Sequence, residues 1–158
     1  MQATTLIELV RRYSPSGQEA EAVDYLVRRM KALGFERAFA DEVGNAVGVI
    51  GDGPKQIVLL GHIDTVPGEI PVQISSLPEG KETGGRVLHG RGSVDAKGPL
   101  AAFTDAAAAI GPVEGWQFVV IGARDEERDS LGARHVVDQY QPDFAIIGEP
   151  SRWNRITL

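Results

Sequence analysis

The stretch Ile57-Val58-Leu59-Leu60-Gly61-His62-Ile63-Asp64-Thr65-Val66-Pro67 runs an apolar segment straight into a glycine, an imidazole and a carboxylate. A short, continuously apolar segment is predicted to be a strand buried in the middle of a sheet. Side chains two apart on a strand share a side, so His62 and Asp64 face one way where the strand ends. A metal-binding histidine usually gives its second ring N–H to a carboxylate, which sets the tautomer and strengthens the ligating nitrogen. Asp64 is placed for that role. Taken alone, the pair also reads as a surface His and Asp at the mouth of a loop, so the rest of the chain has to decide.

Upstream, Leu6, Ile7, Leu9 and Val10 form a short helical apolar face that Ser14-Pro15-Ser16-Gly17 breaks. Ser16 and Glu19 have capping-box spacing and predict the start of a second helix. Val23, Leu26, Val27, Met30 and Leu33 give it an apolar face, and Gly34 ends it. Residues 38–42 and 46–50 are predicted as strands around a turn at Val43-Gly44-Asn45. Downstream, residues 67–85 read as a surface excursion with a short hairpin through 72–74 and 86–89. The loop Gly90-Arg91-Gly92-Ser93-Val94-Asp95-Ala96-Lys97-Gly98 leads into an alanine-rich helix over 99–110, whose first turn suits Pro99. Residues 116–121 are predicted as a buried strand, 131–137 as a helix and 144–147 as another strand, and Ile156-Thr157-Leu158 reads as the start of one more.

Strands separated by helices predict an α/β fold, a three-layer α/β/α domain with a mostly parallel central sheet. In such sheets ligands gather beyond the carboxyl ends of the strands. His62, Asp64, Glu126, Glu127 and Glu149 are each expected there, just after a buried apolar strand. Asp95, on its glycine loop before a helix, can join them.

At 158 residues the chain is the size of one domain with a substantial core, and its 42% hydrophobic and 24% charged content is that of an ordinary soluble protein. It has no cysteine, which excludes disulfides and thiolate ligands and leaves His, Asp and Glu as the strong metal donors. A formal net charge of -6 weighs against sequence-independent binding to nucleic acid or to an anionic membrane, and suits a basic partner better. No apolar run reaches the roughly 20 residues of a membrane helix. The first residues lack a signal-peptide pattern, so a cytoplasmic location is expected.

Five acidic residues and one histidine meeting at one end of a sheet repel one another unless a cation sits among them, and one or two divalent metals are the natural compensation. One nitrogen with several oxygen donors suits zinc, cobalt or manganese, and the lack of thiolate argues for a catalytic over a structural site. Two metals roughly 3.5–4 Å apart need a bridging carboxylate, for which Asp95 is the candidate. Glu126 and Glu127 leave a strand end. If extended, they point opposite ways, so one can ligate while the other serves as base. Asp125-Glu126-Glu127 also reads as a solvated acidic run at a helix start.

Gly61-His62-x-Asp64-Thr65-Val66-Pro67, Gly90-Arg91-Gly92-x-x-Asp95-x-Lys97-Gly98, Asp125-Glu126-Glu127 and Gly148-Glu149-Pro150-Ser151, in this order and spacing, resemble the dinuclear zinc aminoacylase and carboxypeptidase family. That family includes acetylornithine deacetylase, succinyl-diaminopimelate desuccinylase and carboxypeptidase G. The resemblance implies a zinc-exopeptidase-like catalytic domain and a metal-dependent amide hydrolase holding two divalent ions, zinc or cobalt. It implies that His62 ligates one metal and Asp64 orients it. Asp95 bridges both metals, Glu127 ligates the second and Glu149 the first. Glu126 is implied to be the general base that activates the attacking water, and a cis peptide is implied after Asp95. Arg91 and Lys97 read as structural, holding their loop or pairing with nearby acids.

Within the family, Gly68-Glu69-Ile70-Pro71-Val72 and Val94-Asp95-Ala96-Lys97-Gly98-Pro99-Leu100-Ala101-Ala102 look most like hydrolases that release lysine, or ornithine, from an acidic amino-group carrier protein. An acetylornithine or succinyl-diaminopimelate type of deacylase is the alternative, and a non-catalytic metal-binding or interaction module is the contrary reading. The family's catalytic domain normally gains a second histidine ligand from a C-terminal segment, and neither His89 nor His135 matches it. Residues 1–152 are therefore expected to form the N-terminal part of the catalytic domain. Residues 153–158 are expected to begin an inserted dimerisation or lid domain through which the longer enzyme forms a homodimer. The 158-residue chain alone is expected to show little or no activity.

Overall fold

The computed structural model describes residues 3–76 and 85–151. In chain order the elements are α1 (Thr4–Arg11), α2 (Ala20–Ala32), β1 (Arg37–Ala40), β2 (Ala46–Ile50), β3 (Lys55–His62), β4 (Gln73–Ser76), β5 (Arg86–His89), α3 (Lys97–Ile110), β6 (Trp116–Ala123), α4 (Leu131–Val137) and β7 (Phe144–Ile147). The apolar run 57–60 is the middle of β3, which pairs in parallel with β6 on one side and β7 on the other. The full order is β1-β2-β6-β3-β7. Because β2 is antiparallel to both β1 and β6, it alone runs against the other strands, and the sheet is mostly parallel as expected. The short strands β4 and β5 form a separate antiparallel hairpin over the predicted excursion.

The alternating side chains of the sheet feed two cores. On one face Leu59 and Val120 pack with Leu9 of α1, with Leu26 and Met30 of α2 and with Leu100 of α3. On the other, Val47, Val49, Val58, Val119 and Ile121 meet Val136 of α4. The result is the expected three layers, with α4 the only described helix in the second helical layer. Leu9, Leu26, Met30 and Leu100 are fully buried, and each contributes about 1.5–3 kcal/mol relative to an exposed side chain. Small residues let α3 come close to the sheet. A Cβ on Gly61 would lie 3.3 Å from Leu100 Cβ.

Three expectations need correction. Ser16 and Glu19 form no capping box: α2 begins at Ala20 and its N-cap, Glu19, makes no side-chain capping bond. Both side chains are drawn to tertiary partners instead, Ser16 to Asp64 and Glu19 to Asp125. The strand preceding Glu149 is not buried. In β7, Phe144 is 60% and Ile146 51% exposed, because among the described strands β7 has a neighbour on only one side. Apolar composition alone cannot distinguish a central strand from such an edge. The third helix starts at Lys97, ahead of the predicted Pro99. The expected boundary at 152 and a further strand near 156–158 lie outside the described residues. No described helix is long and apolar enough to cross a membrane.

Candidate metal centre

His62 is the last residue of β3 and is 2% exposed. The chain beyond it stays tied to the sheet by the Ile63 N–H, which donates to Ala123 O at 2.7 Å. Ring nitrogen Nδ1 lies 3.0 Å from the main-chain oxygen of Asp64 and 3.5 Å from its carboxylate Oδ1. A carbonyl oxygen can only accept, so Nδ1 carries a hydrogen, and once the ring gives up its second proton the lone pair for a ligand is on Nε2. Asp64 thus meets this nitrogen with both its backbone and its carboxylate oxygen. Nε2 faces Asp95 Oδ1 at 2.8 Å, Glu149 Oε1 at 3.9 Å and Glu126 Oε2 at 4.0 Å.

The Asp64 carboxylate is wholly buried and has a second task. Oδ1 accepts the backbone N–H of Glu126 at 3.0 Å, and Oδ2 accepts that of Glu127 at 3.1 Å and the Ser16 hydroxyl at 2.6 Å. Burial alone would raise its pKa, but the bonds from His62, Ser16 and the two backbone N–H groups outweigh this and hold it below the usual range. These contacts also decide how Glu126 and Glu127 are presented. They do not leave β6 in extended conformation. The chain turns at Asp125, which has φ +61°, and both glutamates bring a carboxylate oxygen near His62.

Asp95 sits on the loop between β5 and α3, followed by the expected cis peptide to Ala96. Gly92, at φ +77°, permits the turn, and a Cβ there would press on Thr65 Cγ2 at 2.7 Å. Lys97 is fully buried and donates from Nζ to Leu9 O at 3.1 Å and Arg12 O at 2.7 Å, fastening the loop to the end of α1. Burial pushes its pKa down to about 8. Arg91 Nε donates to Gly68 O at 2.7 Å. Both basic residues therefore bind backbone, as a structural role requires.

The carboxylates converge as two overlapping groups, His62-Glu126-Glu127 and His62-Asp95-Glu149, each with potential ligand atoms within 4.8 Å of one another. His89 lies in the β4–β5 hairpin near Ser75, and His135 near Asp41 and Glu42, so neither joins them. Among the described residues no Lys or Arg is ion-paired with Asp95, Glu126, Glu127 or Glu149. The electrostatic consequence is plain at each group. Burial works against charge on His62, yet the hydrogen bonds to Asp64 and Asp95 and the charge of Glu149 push its pKa up to about 10. Glu127 and Glu149 are raised, first by burial and then by the neighbouring carboxylates. A field that favours a proton on His62 also favours a divalent cation among these oxygens. One imidazole with carboxylates and no sulfur fits a divalent metal. Beside the cluster a cleft of about 310 Å³ is lined by Val66, Ile70, Arg91, Val94, Asp95 and Glu127.

The profile of peptidase family M20/M25/M40 matches residues 58–158. The LysW-lysine hydrolase of Deinococcus radiodurans is 49% identical over 158 residues, which cover 96% of this chain and 41% of that relative. The LysW-lysine/LysW-ornithine hydrolase of Sulfurisphaera tokodaii is 35% identical over 147 residues, covering 92% of this chain and 38% of that relative. Among solved structures, a tripeptidase from Staphylococcus aureus matches with a TM-score of 0.72 at 23% identity, over 94% of this chain and 43% of its own, a likeness of fold. The chain thus spans about two-fifths of the length of the curated relatives it matches. The matched region contains His62, Asp95, Glu126, Glu127 and Glu149, and the chain belongs to peptidase family M20/M25/M40.

Proposed function

We propose that the polypeptide carrying this sequence is a metal-dependent amide hydrolase that releases lysine or ornithine from an amino-group carrier protein in the cytoplasm. The observation that carries the reading is the convergence of His62, Asp95, Glu126, Glu127 and Glu149 at the carboxyl ends of the parallel strands and the loop beside them. The names of the relatives, hydrolases of LysW-lysine and LysW-ornithine, support the substrate class. Residues 1–152 supply the N-terminal part of the catalytic domain, and the longer enzyme is a homodimer. The 158-residue chain by itself binds metal more weakly and turns over little.

In this reading His62, Asp95 and Glu149 would hold one ion, and Asp95 and Glu127 would help hold a second. When bound, the ions, zinc or cobalt, polarise the amide carbonyl and acidify water. The chain's own groups do the rest. Glu126, with a side chain 39% exposed beside the buried His62, takes the proton of the attacking water and passes it to the departing amine. Asp64 holds His62 in the tautomer that presents Nε2 and fixes the backbone beneath Glu126 and Glu127.

The test is Glu126→Gln in the whole polypeptide, with turnover measured on lysine and ornithine amides of the carrier, on acetylornithine and on succinyl-diaminopimelate. Wild type is expected to cleave the carrier amides in preference. The variant should lose about 10²- to 10⁴-fold in kcat while keeping its metal content. Equal turnover by the variant, or preference for a small acylated substrate, would overturn the base assignment or the substrate class respectively.

A further inference from the structure

The turn that carries Glu126 and Glu127 is gripped from behind by the segment running from Ser14 to Glu19. Glu19 is 4% exposed, an unusual position for a carboxylate next to a helix start. Its Oε1 accepts the backbone N–H of Gly17 at 2.8 Å and of Asp125 at 3.2 Å, and Oε2 lies 3.5 Å from Arg124 Nη2. The next two N–H groups, of Glu126 and Glu127, end on Asp64. Three consecutive backbone donors of the turn therefore fall on two buried carboxylates, and Ser16 and Gly17 bind those same carboxylates side by side.

This grip is itself anchored to the exit of β3. Ser14 Oγ donates to Ile63 O at 2.8 Å, Thr65 N–H donates to Ser14 O at 3.0 Å and Ser16 N–H to Thr65 O at 3.3 Å. The metal-facing histidine and the acidic turn are thus referenced to one short loop. Burying a carboxylate is costly unless its hydrogen bonds are made, and the polar contacts of the Glu19 side chain are with the loop and with the turn after β6. A helix-capping role would leave it exposed, and it makes no capping bond.

We propose that Glu19, assisted by Ser16, is a positioning residue that sets the Glu126-Glu127 turn against His62, and so fixes both the general base and the half of the metal centre that Glu127 supplies. The inference rests on the reaction proposed above, but it is tested partly without it. The group His62-Asp95-Glu149 does not depend on the turn, whereas His62-Glu126-Glu127 does. Disturbing Glu19 should therefore weaken one ion selectively, a signature that general loss of stability does not produce.

In the whole polypeptide, Glu19→Ala removes both acceptors, while Glu19→Gln keeps an oxygen able to take the Gly17 and Asp125 N–H groups. Metal-free protein is titrated calorimetrically with Co²⁺, and kcat and KM are measured on the carrier amide. Glu19→Ala should bind one ion as wild type does and the other about 10- to 100-fold more weakly, with kcat reduced by a similar factor and KM within about 3-fold. Glu19→Gln should recover most of both losses, and Ser16→Ala should shift both in the same direction by a smaller factor. The inference is overturned if folded Glu19→Ala binds both ions as wild type does, if both ions weaken together, or if Glu19→Gln is as damaging as Glu19→Ala. Should Glu19→Ala not fold, Ser16→Ala decides: unchanged metal binding and kcat refute the role. Wild type that binds two ions but cleaves no amide tested would refute the proposed reaction, and the titrations alone would then judge the positioning role.

Discussion

Asp64 reaches no solvent, yet His62, Ser16, Glu126 and Glu127 all meet it. Both carboxylate oxygens accept hydrogen bonds from N–H groups, so an amide in either orientation sets an NH₂ against a backbone donor. Asp64→Asn is therefore expected to cost about 3–5 kcal/mol, the scale for breaking a buried charged network by one partner. Urea unfolding measures it, and a loss within the error of the extrapolation would mean that the turn is held by other contacts. Lys97 makes a parallel case beneath the Asp95 loop. Methionine would fill the space of its stem but leave Leu9 O and Arg12 O without their buried donor. Lys97→Met should cost about 1–3 kcal/mol, with the Asp95 loop becoming the first part of the molecule to lose amide-exchange protection. Neither role can be read from residue type. The Lys-Gly pair after Asp95 marks a loop, whereas the carbonyls that make Lys97 useful lie 88 and 85 residues earlier in the chain.

Among the elements, those with a strong internal period were the most legible. The apolar spacing of α2, the run 57–60 of β3 and the limits of α4 and β7 all follow from their own residues. The Ser16–Glu19 segment misleads because Ser-x-x-Glu looks the same whether it caps a helix or reaches across the fold. What decides is Asp125, 106 residues away. Helix α2 also shows how tightly the elements fit. A Cβ on Gly48 of β2 would overlap Met30 Sδ and come within 2.7 Å of Phe35 Cδ1. Gly48→Ala should destabilise the fold by about 1–3 kcal/mol through overpacking between α2 and β2. Because Met30 and Phe35 lie at the end of α2 away from Glu19, metal affinity should be unchanged in the folded protein. A variant of wild-type stability would show that α2 can shift outward at no cost.

Across the whole molecule, the candidate centre draws on the end of β3, the loop before α3, the turn after β6 and the residue pair after β7. Three of these segments were legible because they follow the parallel strands β3, β6 and β7, whose carboxyl ends share an edge, whereas the Asp95 loop follows a strand of the separate hairpin. The carboxylates between His62 and Glu149 repel one another, and the described fold offers them His62 as their shared positive partner. A divalent ion bound there would join segments separated by long stretches of chain, acting on the folded state and far less on the unfolded one. Zinc at about 100 times its dissociation constant should then add about 2.7 kcal/mol of stability. For a chain of this size that corresponds to a rise of about 5–10 °C in Tm over metal-free protein. Differential scanning calorimetry with and without chelator reads the shift. Glu149→Gln removes a charged donor and part of the repulsion together, so its metal-free form should melt at or above the metal-free wild type, while the rise on adding zinc shrinks. Equal zinc-induced rises in the two proteins would place the ion elsewhere and separate Glu149 from the centre.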